Sequence, residues 1–308
     1  MAGYNTVVST DLDELIPLIL GEARMWFAEQ SLFFPKKGVA QDLIQWADLT
    51  NEPGNTATFP KYAAIAFGDA TEGVDYTDTQ DLNTNAGLAS ITAYEKVVVV
   101  PIADRATRAV TGGKQKLVTD LGRMVGLAAS IKFDGDVMAL FSGLGTCPYG
   151  TTTGQNMAVN NFEGYIASLR SAKAPDPYGA FFSPLGWMKF LQADTFGGGS
   201  TVSPLAIAAV SDQVAKDIWQ SFYTDNIMGV RCFQHADVPT ANGGADYMGA
   251  FMSAWAIGCT WKMDLQIEQQ RDASLRATEF VATMEYGVGV IDSTMGYKML
   301  QDKPSLGS

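Results

Sequence analysis

The chain has 308 residues, 47% of them hydrophobic and 11% aromatic. That is enough apolar surface for two ordinary domains or one elaborated one, and too much for a disordered chain. A formal net charge of -12 disfavours a surface that grips phosphate backbones or anionic membranes, because Lys and Arg hold both. Three cysteines are an odd, sparse set that points to a reducing compartment rather than a disulfide framework. No apolar run approaches the ~18 residues of a membrane span, and MAGYNTVVST lacks the basic and apolar regions of a secretion signal.

Leu12, Leu15, Ile16, Ile19, Ala23, Trp26 and Phe27 form a helical stripe over 10–30, with Asp11 and Glu14 placed as a capping box. Pro17 predicts a kink, or a helix that begins near it, since proline removes a hydrogen bond and crowds the preceding turn. Residues 39–49 read as a short extended or helical link. One strand is expected over 56–67 and another over ASITAYEKVVVVPIAD, with 97–100 a buried strand ending at Pro101. Between them Asp69, Glu72, Asp75, Asp78 and Asp81 recur among Thr, Asn and Gly, and no basic residue occurs between Lys61 and Lys96. Two strands bracketing this polar segment describe a β-arm too long to fold back onto its own core.

Residues 114–143 carry Leu117, Leu121, Met124, Ala128 and Ile131 at helical spacing, flanked by Val118, Val125, Val137 and Leu140. At 1.5 Å per residue this spine is roughly 40 Å long. From 146 to 264 the pattern is α/β. FEGYIASLRSA reads as a helix and YGAFF as a strand running into Ser183-Pro184, an N-cap followed by proline at the first helical position. Ser203-Pro204 repeats the device before LAIAAVSDQVAKDIWQSF. GVRCFQHADVP and AFMSAWAIGCTW read as strands, FGGGSTVS and TANGGAD as loop tips. Phe280, Ala282, Met284, Tyr286, Val288 and Val290 alternate as one face of a last strand.

The catalytic inventory is poor. His235, the single histidine, follows Cys232 by three residues, whereas zinc needs three or four ligands; ordinary strand residues are the simpler reading than metal or thiol chemistry. TGGKQK at 111–116 fails the phosphate-loop pattern, because Arg108 and Gln115 stand where Gly and Ser or Thr are required. GVG at 287–289 lacks the third glycine and following helix of a dinucleotide fingerprint. Asp134, Asp136 and the acidic stretch read as solvated faces rather than glycosidase carboxylates, and lack calcium-loop spacing. The six tryptophans read as core or subunit contacts. No catalytic, cofactor-binding or metal residue is assigned.

GNTATFPKY opening the arm, VVVVPIADRA before the spine, IMGVRCF and DVP mid-chain, and a final QRDASLRATEFVATMEYGVGVID with Gly287 and Gly289 follow one another in a telling order. Over nearly the whole chain this series resembles the major capsid proteins of tailed bacteriophages, the Hong Kong 97-type fold. The resemblance implies an α+β architecture. It comprises an N-terminal arm (1–50), an extended β-hairpin loop (51–96), a peripheral domain (97–145 and 265–308) with spine helix 114–143, and an axial α/β domain (146–264). It implies a non-enzymatic major capsid protein that assembles through hexamers and pentamers into an icosahedral shell around double-stranded DNA, which it encloses without sequence-specific binding. A portal, a scaffolding protein and decoration proteins are the implied partners, the virion the location, and the host bacterial cytoplasm the place of synthesis.

Inter-subunit contacts are expected from Phe59 and from Asp69, Glu72, Asp75, Asp78 and Asp81, with Lys61, Arg105 and Arg108 receiving a neighbour's acidic arm. The arm has no lysine beyond Lys61, so the Lys–Asn cross-link that chains subunits in some relatives is not expected. Only residues 1–50 precede the loop, so scaffolding is expected to be a separate protein unless the chain is already processed. An encapsulin-like compartment shell is the rival of the same fold, and a hydrolase using Cys232 or His235 the rival of another class.

Overall fold

The computed structural model describes residues 12–34, 38, 40–61, 69, 72–73, 75, 88–103, 105, 113–192, 195–196, 200–201 and 226–303. In chain order the helices are α1 (Leu12–Gln30), α2 (Gly113–Ala139), α3 (Val159–Ser171) and α4 (Pro184–Gln192). The strands are β1 (Gln45–Asp48), β2 (Thr56–Pro60), β3 (Leu88–Thr92), β4 (Tyr94–Ala103), β5 (Gly145–Thr146), β6 (Tyr178–Phe182), β7 (Thr195–Phe196) and β8 (Ser200–Thr201). They continue with β9 (Asn226–Ile227), β10 (Val230–Gln234), β11 (Thr240–Ala241), β12 (Asp246–Ser253), β13 (Ile257–Asp272), β14 (Ala277–Val290) and β15 (Gly296–Asp302).

A first sheet has the order β1-β13-β14-β4, with β1 parallel to β13 and the other pairs antiparallel. The alternation on β14 buries Phe280, Ala282, Met284 and Tyr286 on one face, as period two requires. Against that face lies α2, whose Phe133 ring meets Tyr286 edge-on at 5.0 Å and Trp261 at 5.8 Å. The buried ladder of α2 is Leu121, Val125, Ala129, Phe133 and Val137. Helix α1 packs beside it at Gly122 and Gly126, where a Cβ on Gly126 would stand 2.4 Å from the Ala23 carbonyl oxygen. Backbones come this close only where the side chain is a single hydrogen.

The stripe read from the sequence is therefore turned. Met124, Ala128 and Ile131 lie on the side of α2 opposite Phe133, exposed. Both stripes satisfy the helical period, and the one carrying the glycines and Phe133 fits α1 and the aromatic cluster better. Helix α1 also differs from expectation. It starts at Leu12 and continues through Pro17, which costs one hydrogen bond, to the carbonyl of Asp13, near the helix start.

The second sheet runs β5-β15-β12-β6-β10-β9, with β11 on β12. Its central β6 is buried at every position. Helices α3 and α4 cover it through Phe162, Tyr165, Leu169, Trp187 and Phe190, Tyr165 stacking on Phe251 at 4.8 Å. Ser183 caps α4 as its Ser-Pro pair predicts, its Oγ accepting from the Gly186 N–H at 3.0 Å. The segment AFMSAWAIGCTW is not one strand. It turns at Ala254-Trp255, and β12 belongs to the second sheet while β13 belongs to the first. The division expected at 264/265 thus cuts through β13, and β15 lies in the sheet of the other unit. The helix expected at LAIAAVSDQVAKDIWQSF lies outside the described residues.

The segment expected as one strand over 89–104 also bends, at the buried Ala93, whose N–H donates to the Asn55 carbonyl at 2.7 Å. Before the bend β3 pairs with β2, Thr56 opposite Thr92 and Pro60 opposite Leu88. After it β4 pairs with β14 at the sheet edge. There Val97, Val98 and Val99 are 53%, 38% and 50% exposed, against the buried strand expected, because an edge strand packs on one face and has a neighbour on one side. The strand also continues through Pro101 to Ala103, where an edge tolerates proline. Of the residues joining β2 to β3, Lys61, Asp69, Glu72, Gly73 and Asp75 are described.

Candidate inter-subunit surfaces

The β2–β3 hairpin is the root of the arm. Ala57, Phe59 and Ile91 gather with Leu49 in a small cluster of their own, seated on the first sheet. Gly287 makes the seat possible, since a Cβ there would come 2.2 Å from the Thr92 carbonyl oxygen. Thr260 Oγ1 donates to the Ile91 carbonyl at 3.2 Å. Phe59, expected at a subunit contact, is 7% exposed within its own chain; it anchors the root.

Lys61 is likewise engaged at home. Its Nζ lies 2.7 Å from Asp292 Oδ2, and the Asp292 side chain is 7% exposed. Burial pushes the Asp292 carboxyl up, but hydrogen bonds from Lys61 and from the Thr294 N–H and hydroxyl outweigh it, holding the group below the usual carboxylate range. Asp69, Glu72, Asp75 and Arg105 are exposed. Asp78, Asp81 and Arg108 lie outside the described residues.

The sequence reading passed over the outer face of α2 as a surface. Met124, Leu127 and Ile131 are 67%, 44% and 49% exposed on one side of a helix whose opposite side is also apolar. Large apolar side chains grouped on an exposed helix face mark a surface that another element ordinarily covers. Beside this ridge, between α2 and β4, runs an apolar groove of about 260 Å³ lined by Val97, Val98, Ala128, Lys132 and Met284. Lys116, Arg123 and Lys132 are exposed along the same helix; Arg123 covers the Trp26 ring at 4.3 Å, and Lys132 reaches Asp136 at 2.7 Å. The signal in the sequence was the second apolar stripe itself.

The Cys232–His235 neighbourhood offers no accessible nucleophile. Cys232 is 2% exposed, and burial pushes its thiol up to about 12. His235 faces elsewhere. The Asp237 N–H donates to its Nδ1 at 3.1 Å, leaving Nε2 3.7 Å from Asp134 Oδ2. Asp134 is buried beneath the turn that follows α1, accepting from Ser31 Oγ at 2.7 Å and from the Leu32 N–H at 2.8 Å. Burial raises its carboxyl more than these donors lower it. The group ties α1, α2 and the second sheet together. Among the described residues no three His, Cys, Asp or Glu side chains converge as a metal site, and no helix is long and apolar enough to cross a membrane.

No protein-family model matches the sequence, and no curated protein matches it. Solved structures do. A Mycobacterium phage Che8 structure aligns with a TM-score of 0.63 at 15% identity, over 84% of this chain and 89% of that one. The capsid of Ralstonia phage GP4 aligns at 0.61 and 11% identity, over 88% and 90% of the two chains. The chain has the Hong Kong 97-type capsid fold. An encapsulin complex from Synechococcus elongatus shares it, at a TM-score of 0.55 and 10% identity over 90% and 91% of the chains.

Proposed function

We propose that this protein is the major capsid subunit of a tailed phage, building an icosahedral shell of hexamers and pentamers around double-stranded DNA. The observation that carries the reading is the capsid fold shared with the solved phage structures, and the seated β2–β3 hairpin and the uncovered apolar ridge of α2 support it. The arm leaves the body as a two-stranded ribbon of five paired positions, too short to be stable alone. The outer face of the spine helix and the groove beside β4 present apolar side chains to water. Laid over a second copy, the acidic arm meets Lys116, Arg123 and Lys132, and the apolar ridge is withdrawn from solvent. Each such contact is modest, but in a closed shell every subunit is held by several neighbours at once.

A net charge of -12 suits a lining that lets a duplex slide. The function is architectural, and the buried Cys232 supports that over a thiol hydrolase. A portal and a separate scaffolding protein belong to this reading, as do decoration proteins; the host cytoplasm is its place of synthesis. The encapsulin likeness favours a second reading, a compartment shell around cargo protein. Purified particles decide between them. Electron microscopy is expected to show closed shells, and particles made in infected or DNA-packaging cells are expected to hold nuclease-protected DNA; shells holding an enzyme and no DNA would favour the compartment.

A further inference from the structure

We infer that Lys61 and Asp292 form a latch that sets the direction in which the arm leaves the body, which makes Lys61 the positioning residue of assembly. This rests on the shell reading above. The hairpin is seated through Phe59 and Ile91 in their cluster, the Ala93 N–H on the Asn55 carbonyl and Gly287 under Thr92. At the outer end Pro60 pairs with Leu88, which is 56% exposed. The next residue, Lys61, supplies the tie, 2.7 Å from Asp292.

Asp292 is fixed independently of the lysine. It follows the end of β14 and caps the turn Ser293–Met295 by accepting from the Thr294 N–H at 2.9 Å and the Thr294 hydroxyl at 2.7 Å. Its own N–H donates to the Ala256 carbonyl at 3.3 Å. The carboxylate, 7% exposed and held in place by its turn, meets the Lys61 side chain, which is 36% exposed. Removing the cation leaves a largely buried carboxylate with only the Thr294 donors and no counter-ion among the described residues, so the outgoing chain cannot drift without cost.

The test uses the full chain with spin labels at Asp75→Cys on the arm and Glu268→Cys on the body, diluted into unlabelled protein; the three native cysteines are buried. Lys61→Met is expected to broaden the distance distribution between the labels and to cut shell yield at least tenfold. Lys61→Arg is expected to restore both. An unchanged distribution in Lys61→Met, or a broadened one with full shell yield, overturns the latch. Should Lys61→Met not fold, the exchanged pair Lys61→Asp with Asp292→Lys is read instead; recovery of the narrow distribution supports the latch and its failure refutes it. If wild-type protein makes no shells the shell reading falls, while the distance measurement still judges the latch.

Discussion

Phe133 stands where four elements meet, its ring within 6.1 Å of Phe27 on α1, Trp46 on β1, Trp261 on β13 and Tyr286 on β14. It is wholly buried, so Phe133→Ala removes a ring from a site that cannot collapse and should cost about 3–5 kcal/mol; a denaturant titration followed by tryptophan fluorescence measures it. Cys232 gives a prediction of the opposite kind. With its thiol pushed up to about 12, thiolate is scarce at pH 8, and iodoacetamide should label it only after unfolding, read by mass spectrometry. Asp292 supplies a pH dependence. Its carboxyl lies below the usual range in the folded chain, so its contribution is complete above the ordinary carboxylate value of 3.8 and is lost as pH falls through the lower folded value. Wild type and Asp292→Asn should therefore differ in thermal midpoint at pH 6 and converge in strong acid.

At the scale of elements, the spine helix shows both what the sequence revealed and what it concealed. Its length was legible from an unbroken helical pattern behind Gly112-Gly113, and β14 from its strict alternation. Which face of the spine points inward was not, because Leu121, Val125 and Ala129 follow the same period as Met124, Ala128 and Ile131. Position on the sheet, decided by Phe133 and the two close glycines, settles it. The bends at Ala93 and Ala254-Trp255 lack a Pro or Gly signal, since they arise from strands being claimed by different sheets. The Lys61–Asp292 pair joins residues far apart in sequence, which no local pattern reports. The turned helix predicts that Met124→Asp with Ile131→Asp leaves monomer stability within about 0.5 kcal/mol, as exposed substitutions do, yet abolishes shells by sedimentation. The first sheet adds another test. Glu95 stands directly opposite Glu285, a like-charge pair on one face, so Glu285→Lys should raise stability by about 0.2–1 kcal/mol.

For the whole molecule, the fold supplies a body with two packed cores and two features that the body alone leaves incomplete: a ribbon with a fixed root, and an apolar ridge open to water. In the proposed shell each would be the complement of the other across a pair of subunits. On that proposal, acidic side chains on the arm and basic ones on the spine helix would give the pairing its sign, and such charges act chiefly on specificity and encounter rate. The direct measurement is a cryo-electron microscopy map of the assembled protein. It is expected to show closed shells in which residues 62–87 of each subunit cross the spine helix of the next, over Met124 and Ile131. A dispersed particle of 33.0 kDa, its arm folded against its own body and covering its own ridge, would contradict it.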